Sequence, residues 1–414
     1  MALGVAAAFG QQNPLTLDDC VRLAMSVPSD VTLARQQTEI ARLGLTQARA
    51  GFLPQFQVST GYTYNSPAHP TSGSTQSFVA LNGIREYAGL AATSLEIDTS
   101  GRLLAAYRRA QADQQIAGSQ LDIIRRDLRR LVTAAYYRVL VARHLIDANE
   151  GMLAEASTFE KRARQLFEGG EVAQADVIKA ESQTTLLRQS LMAAQLEAQT
   201  ANQDLASFWT SNVNDPLRIE DTLEHQPPPE PEAATPQPFL RRFEFNLLEA
   251  EKKGWSADRR AALSNLLPRL GLVVQYGLDS NRIAVQDRGA AAFATLTIPV
   301  FDWFHARSQA EQFRLRMDQV DTQRAMTTRT FSRDYEVALA RARSLHAQLP
   351  LLQAQIKSSQ DNLRLSRLRY EGGEGPALEV VAAQTQLAQA LTNYYIALAN
   401  YANVRADLEV AAGR

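Results

Sequence analysis

The chain has 414 residues, 43 basic and 44 acidic side chains for a formal net charge of −1, one cysteine, five histidines and 45% hydrophobic residues. Near neutrality excludes nucleic acid as the main partner, since a polyanion needs a basic excess; one thiol excludes a disulfide framework, and the scattered His69, His144, His225, His305 and His346 give no metal-ligand spacing. No apolar run reaches the roughly eighteen residues of a transmembrane helix, which leaves a soluble chain or one that meets a membrane as strands.

Residues 1–14 open on an uncharged apolar stretch, with Ala8 and Gly10 spaced like a signal-peptidase site, and are expected to be the remnant of a secretory leader. Cys20 follows Leu17-Asp18-Asp19 at a helix start, not an apolar run, so it reads as a buried thiol and not a lipidated one. Thr16 and Asp19 have capping-box spacing; the helix they open runs to about Val27, and a second runs from Asp30 to Ala50. The period then changes to two. Over 55–65, Phe56, Val58, Thr60, Tyr62 and Tyr64 share one face, and Gln55, Gln57, Ser59, Gly61, Thr63 and Asn65 the other. After a polar loop over 66–77, a strand over 86–97 carries Tyr87, Gly89, Ala91, Thr93, Leu95 and Ile97 on one face.

A helix is expected over 101–168, with a coiled-coil seam through Leu121, Ile124, Leu128, Leu131 and Ala135; at its rise per residue it is roughly 100 Å long. Gly169-Gly170 supplies the reversal, and a return helix over 175–210 keeps Val177, Ala180, Thr184, Leu187, Leu191, Ala194, Ala198, Ala201, Leu205 and Phe208 in register. The proline-rich stretch 211–243 reads as a stiff linker with no core of its own.

The pattern then begins again. Residues 244–414 repeat residues 15–210: a helix to about Leu266, Leu267-Pro268 in place of Leu53-Pro54, strands over 269–279 and 291–300, and long helices over 304–370 and 377–411. The turn Phe167-Glu168-Gly169-Gly170-Glu171 matches Tyr370-Glu371-Gly372-Gly373-Glu374 at an offset of 203, and that offset carries the return-helix seam onto Val380, Ala383, Leu387, Ala390, Tyr394, Ala397, Tyr401, Val404, Leu408 and Ala411. A register kept over a turn and a whole seam marks a duplicated unit.

Each half therefore offers two strands near the roughly 9–11 residues that cross a bilayer on a tilt. Four strands close no barrel, and an open edge is not tolerated in hydrocarbon. Several copies are needed; two would give about eight strands and three about twelve, and the pattern does not choose between them. Tyr62, Tyr64, Tyr87 and Tyr276 suit a membrane-interface girdle. A small sheet capping a soluble coiled coil fits the same alternation.

The ordered set of helix, Leu-Pro, amphipathic hairpin, Gly101-Arg102 opening a very long helix, Gly-Gly turn and return helix, present twice, resembles the TolC-type outer-membrane efflux factor family over about residues 15–411. The resemblance implies a mostly α protein with membrane β, a homotrimer with a twelve-stranded β-barrel in outer-membrane lipid and a twelve-helix α-barrel in the periplasm. It also implies a passive conduit of a tripartite efflux or secretion system, with a periplasmic adaptor and an inner-membrane transporter of unknown class as partners. By the same resemblance Phe167, Gly169, Gly170, Glu171, Gly372, Gly373 and Glu374, with Tyr370, form the adaptor-docking tip, and Asp176 and Tyr370 constrict the entrance.

Two departures accompany that match. The arginine that completes the entrance constriction in related channels falls on Gly375, leaving Arg364, Arg367 and Arg369 as nearby substitutes. Pro350 interrupts the second long helix, opposite Asp147 and near Gly151 in the first, so Gly151 and Pro350 are candidate hinge points, with a static kink as the plainer expectation. A periplasmic coiled-coil adaptor or scaffold is the alternative function. An enzyme would need converging acid, base, nucleophile or metal groups; His305 stands alone at the base of its helix, and the Gly-Gly turns lack a preceding strand and a following Gly-Lys-Ser/Thr. No catalytic residue, cofactor or metal is expected, and the exported substrate is left open.

Overall fold

The computed structural model describes residues 14–66, 84–225, 227–229 and 237–414. The expected leader except Pro14, His69, most of the 66–77 loop, and Pro231 and Pro236 of the linker lie outside the described residues.

In chain order the elements are α1 (Leu17–Ser26), α2 (Asp30–Ala50), β1 (Gln55–Tyr64), β2 (Arg85–Ile97), α3 (Arg102–Glu168), α4 (Gln174–Ser207), α5 (Phe243–Ser264), β3 (Arg269–Ser280), β4 (Arg288–Thr297), α6 (His305–Glu371) and α7 (Ala377–Ala411). The expected capping box starts α1: Thr16 Oγ1 accepts the Asp19 amide at 3.1 Å, and the Asp19 carboxylate accepts the Thr16 amide at 3.2 Å. Carboxylates also open both long helices. Asp98 accepts the amides of Leu103 and Leu104 at 3.1 and 2.9 Å, and Asp302 accepts that of Ala306 at 2.9 Å.

β4 differs from the expected 291–300, lying three residues earlier at Arg288–Thr297. Its ladder to β3 pairs Arg269 with Thr297 through Leu278 with Arg288, and Pro299, which has no amide to donate, lies beyond its end. Ala290, Ala291, Ala292 and Ala294 carry little face signal, so alternation alone could not position this strand.

The chain divides into two compact units, one of residues 1–34, 121–243 and 327–414, the other of residues 35–120 and 244–326. The first holds two cores. One gathers Cys20, Val21 and Ala24 of α1, Val132, Tyr136, Val139 and Leu140 of α3, Ala201 and Leu205 of α4, and Tyr394, Leu398 and Ala402 of α7. Ile219 and Leu223 join it, so the segment expected to be a bare linker is partly a strap: Ile219 bridges Leu15 and is buried, and Leu223 is fully buried. Tyr136 ties it down by donating its hydroxyl to the Glu220 carbonyl at 2.5 Å. His144 stacks on Tyr395 with centroids 4.7 Å apart and faces the Asp221 carboxylate at 2.7 Å.

The seam of α3 also differs from expectation. Leu131 is half exposed in the single chain, and the buried stripe passes through Val132, Tyr136, Val139 and Leu140, as expected when a 3.6-residue period drifts away from a 3.5-residue seam. Both return helices keep theirs: every seam position of α4 and α7 is buried except Leu191, Ala198, Phe208 and Val404, which are half-buried. The second unit is built on one antiparallel sheet with the order β1-β2-β3-β4.

Candidate channel elements: the sheet faces and the helical turns

Register sets what each face of the sheet presents. Tyr62 pairs with Tyr87, which pairs with Ser280; Thr60 with Gly89, Leu278 and Arg288; Val58 with Ala91, Tyr276 and Ala290; Phe56 with Thr93, Val274 and Ala292. Leu95, Leu272 and Ala294, then Ile97, Leu270 and Leu296, continue the same side. Every residue assigned from the sequence to the apolar side of the first two strands falls on it. Phe56, Val58, Tyr62, Tyr64, Val274, Tyr276 and Leu296 are exposed there, although they are large and hydrophobic.

The other face is mixed: it carries Gln55, Gln57, Ser59, Gly61 and Thr63 of β1, Glu86, Ser94 and Glu96 of β2 and Gln275 and Asp279 of β3, interspersed with Ala88, Leu90 and Ala92 of β2, Val273 of β3 and Phe293 of β4. A sheet with most of its large apolar side chains exposed on one side and most of its polar ones on the other has the pattern of a barrel wall between hydrocarbon and water. The four interface tyrosines sit toward the hairpin end, and the Tyr62 and Tyr87 rings are 5.1 Å apart. Both outer edges, on β1 and β4, have no strand partner among the described residues.

In the other unit the two helical turns are superposable in their hydrogen bonds. After α3, Gly170 has φ +78°, its amide reaches the Phe167 carbonyl at 2.9 Å, and the Glu171 amide reaches Leu166 at 2.8 Å. After α6, Gly373 has φ +75°, its amide reaches Tyr370 at 3.0 Å, and the Glu374 amide reaches Arg369 at 2.8 Å. This paired closure is a Schellman cap, with glycine where the left-handed conformation is required. The next turn repeats too, with Asp176 to Ala173 at 3.0 Å and Glu379 to Pro376 at 3.1 Å.

One core joins the four helices behind these turns: Phe159, Ala163 and Leu166 of α3, Ala180 and Leu187 of α4, Leu363 and Tyr370 of α6, and Val380, Ala383 and Leu387 of α7. Tyr370 is a core residue here. It is 4% exposed, packs edge-on to Phe159 at 5.0 Å, and its hydroxyl has no hydrogen-bond partner among the described residues. Burial first, then the charge of Asp176, raises its ionisation range. Asp176 is thus within electrostatic reach of Tyr370, while its carboxylate takes a hydrogen bond from Lys179 at 3.3 Å. Phe167, at the repeat position of Tyr370, is exposed.

Of the three substitute arginines, Arg369 folds back over Gly375 to Glu379 at 2.7 Å, and Arg364 lies 3.7 Å from Asp361 on its own helix. Arg367 alone crosses between repeats, donating to Glu155 of α3 at 2.8 Å and lying 3.4 Å from Glu371. Helix α6 stays continuous through Pro350, as α3 does through Gly151. No local pattern identifies the Arg367–Glu155 pair, since its members are 212 residues apart.

Comparison with known proteins follows the same outline. The protein-family profile described as outer membrane efflux protein matches residues 23–210 and 240–414. The chain is 22% identical over 395 residues to the cobalt-zinc-cadmium resistance protein CzcC of Cupriavidus metallidurans, covering 92% of this chain and 86% of that one. In fold it is similar to the CmeC outer membrane channel of Campylobacter jejuni, with a TM-score of 0.83, 18% identity and coverage of 96% and 85%. The open-state MtrE outer membrane channel of Neisseria gonorrhoeae gives a TM-score of 0.81, 20% identity and coverage of 96% and 88%.

Proposed function

The chain belongs to the outer membrane efflux protein family, and from that premise we propose that it is the exit duct of a tripartite efflux system, a homotrimer whose three sheets close one twelve-stranded barrel above a twelve-helix tube. It is a TolC-type outer-membrane channel protein with a long periplasmic helical extension. The observation that carries closure by several copies is the sheet itself, with its large apolar side chains mostly on one side and both edges unpaired among the described residues; the number three is what the resemblance to TolC-type channels implies. Such a sheet satisfies its edges in hydrocarbon only by joining copies of itself.

Cargo passes through unaltered, and the energy comes from the inner-membrane transporter. The duplicated turns around Gly170 and Gly373, with Phe167, Glu171 and Glu374 beside them, form the adaptor-docking tip. Asp176 and Tyr370 set the width of the entrance together, Tyr370 from the core behind the turns, packed on Phe159, and Asp176 within electrostatic reach of it. Gly151 and Pro350, through which the two long helices run on, are candidate hinge points, with a static kink at Pro350 as the alternative. In a planar bilayer, the wild-type oligomer is expected to conduct poorly and the Asp176→Ala, Tyr370→Phe double variant to conduct several-fold better; equal single-channel conductance sinks the entrance assignment.

A second reading concerns cargo. The match to CzcC over nearly the whole chain favours divalent metal ions of the cobalt, zinc and cadmium class over organic drugs. Deleting the gene is expected to sensitise cells to those ions and not to hydrophobic antibiotics; the opposite ranking rejects this reading.

A further inference from the structure

Among the described residues, two arginines on the sheet's apolar face have no carboxylate to pair with. Arg85 is opposite Tyr64 on β2, and Arg288 is opposite Leu278 on β4, so register places both on the side of Phe56, Tyr62 and Tyr276. Both are exposed, and neither has an ion-pair partner among the described residues. Arg282, in the same hairpin as Arg288, shows the contrast: its guanidinium is held by Asp287 at 3.0 Å. Acidic side chains at this end of the sheet, Glu86 and Asp279, belong to the opposite face by the same register.

A cation facing hydrocarbon is costly at the bilayer midplane and nearly neutral at its edge, so these arginines mark a headgroup level. The row of Tyr62 and Tyr87 lies between the Arg85 and Arg288 rows, which agrees with an interfacial belt. Along the strands the two arginines are about 14 Å apart, and across them about 10 Å. This is the loop end of the sheet, opposite the strand ends that join α2, α3, α5 and α6, and with the helical extension in the periplasm it is the end that meets the outer leaflet. Guanidinium groups bind phosphate through two parallel hydrogen bonds, which makes arginine the side chain suited to a phosphorylated headgroup.

We propose that Arg85 and Arg288 bind the phosphate groups of an outer-leaflet glycolipid, seating the barrel in the phosphorylated surface of that leaflet. The proposal rests on the reading of this face as lipid-facing, and its test separates the two. The oligomer is reconstituted into phosphatidylcholine vesicles containing either bisphosphorylated or dephosphorylated lipid A. Flotation after carbonate washing reports insertion, and native mass spectrometry of the re-extracted oligomer reports retained lipid.

Wild type is expected to float and to prefer the bisphosphorylated lipid by about thirty-fold, the effect of two arginines at an anionic surface. Arg85→Gln with Arg288→Gln is expected to float equally and lose that preference, whereas Arg282→Gln retains it. Inorganic phosphate in excess is expected to leave the lipid bound. Equal retention of the two lipids by floating wild type, an unchanged preference in the double variant, or displacement by free phosphate overturns the glycolipid site. Failure to float overturns the lipid-facing reading and this proposal with it.

Discussion

Cys20 and Tyr136 show how single residues make the first unit sensitive to alkali. The Cys20 thiol is fully buried, and burial pushes its ionisation up to about 12. Burial also raises the Tyr136 phenol, whose hydroxyl anchors the strap at Glu220. A pKa raised on folding contributes stability that is present below the unfolded value and lost as pH rises through the folded one. The melting temperature is therefore expected to hold to about pH 8 and to fall progressively above the ordinary thiol range. Cys20→Ala is expected to flatten that fall at the cost of roughly 1 kcal/mol of packing, and iodoacetamide to leave Cys20 unmodified until the protein unfolds; rapid alkylation of the native protein at pH 8 contradicts this. Tyr370 makes a complementary case. Its buried hydroxyl lacks a partner among the described residues, so Tyr370→Phe is expected to keep or raise thermal stability, by up to about 1 kcal/mol, instead of costing a hydrogen bond. A clear drop in melting temperature would mean that the hydroxyl is bonded in the assembled protein.

At the scale of elements, the two helical turns invite a matched comparison. Gly373 has φ +75°, where a Cβ costs about 1–2 kcal/mol, whereas a Cβ on Gly372 meets its nearest neighbour, the Leu368 carbonyl, at 3.4 Å. Gly373→Ala is expected to loosen the last turn of α6 and speed tryptic cleavage after Arg369; Gly372→Ala is expected to do so far less. Equal cleavage rates would show that left-handed geometry does not hold the tip. These turns were legible in the sequence because glycine pairs and a shared offset of 203 are local signals. So were the return-helix seams and the faces of the first two strands, whose periods of 3.5 and two repeat over many residues. The start of β4 was not, because its alanines look the same on either face and its position comes from pairing with β3. The strap was hidden for a related reason: Leu217, Ile219 and Leu223 are isolated among prolines and acids, and only the cavity they fill beside Tyr136 gives them meaning. The burial of Tyr370 arises from four helices meeting, a contact that no stretch of sequence contains. Arg367 and Glu155 belong to the same class.

At the scale of the whole molecule, the argument turns on the free edges of β1 and β4. Edge-to-edge closure between copies makes a cyclic oligomer, and its strand count is four times the number of chains. Disulfides can count those chains, because the only native thiol, Cys20, is buried and does not compete. Val58 on β1 and Ala290, Ala292 and Ala294 on β4 lie on the same face of the sheet, so a cysteine at Val58 combined with one at each alanine in turn samples neighbouring registers of the closed edge. Only a pair with Cα atoms about 4.4–6.8 Å apart can bridge. One of the three double variants is expected to oxidise efficiently in the membrane, giving bands of one, two and three chains with the three-chain band dominant and nothing larger. A ladder that stops at two chains would indicate an eight-stranded barrel, and one that continues beyond three would mean that the sheet does not close at twelve strands.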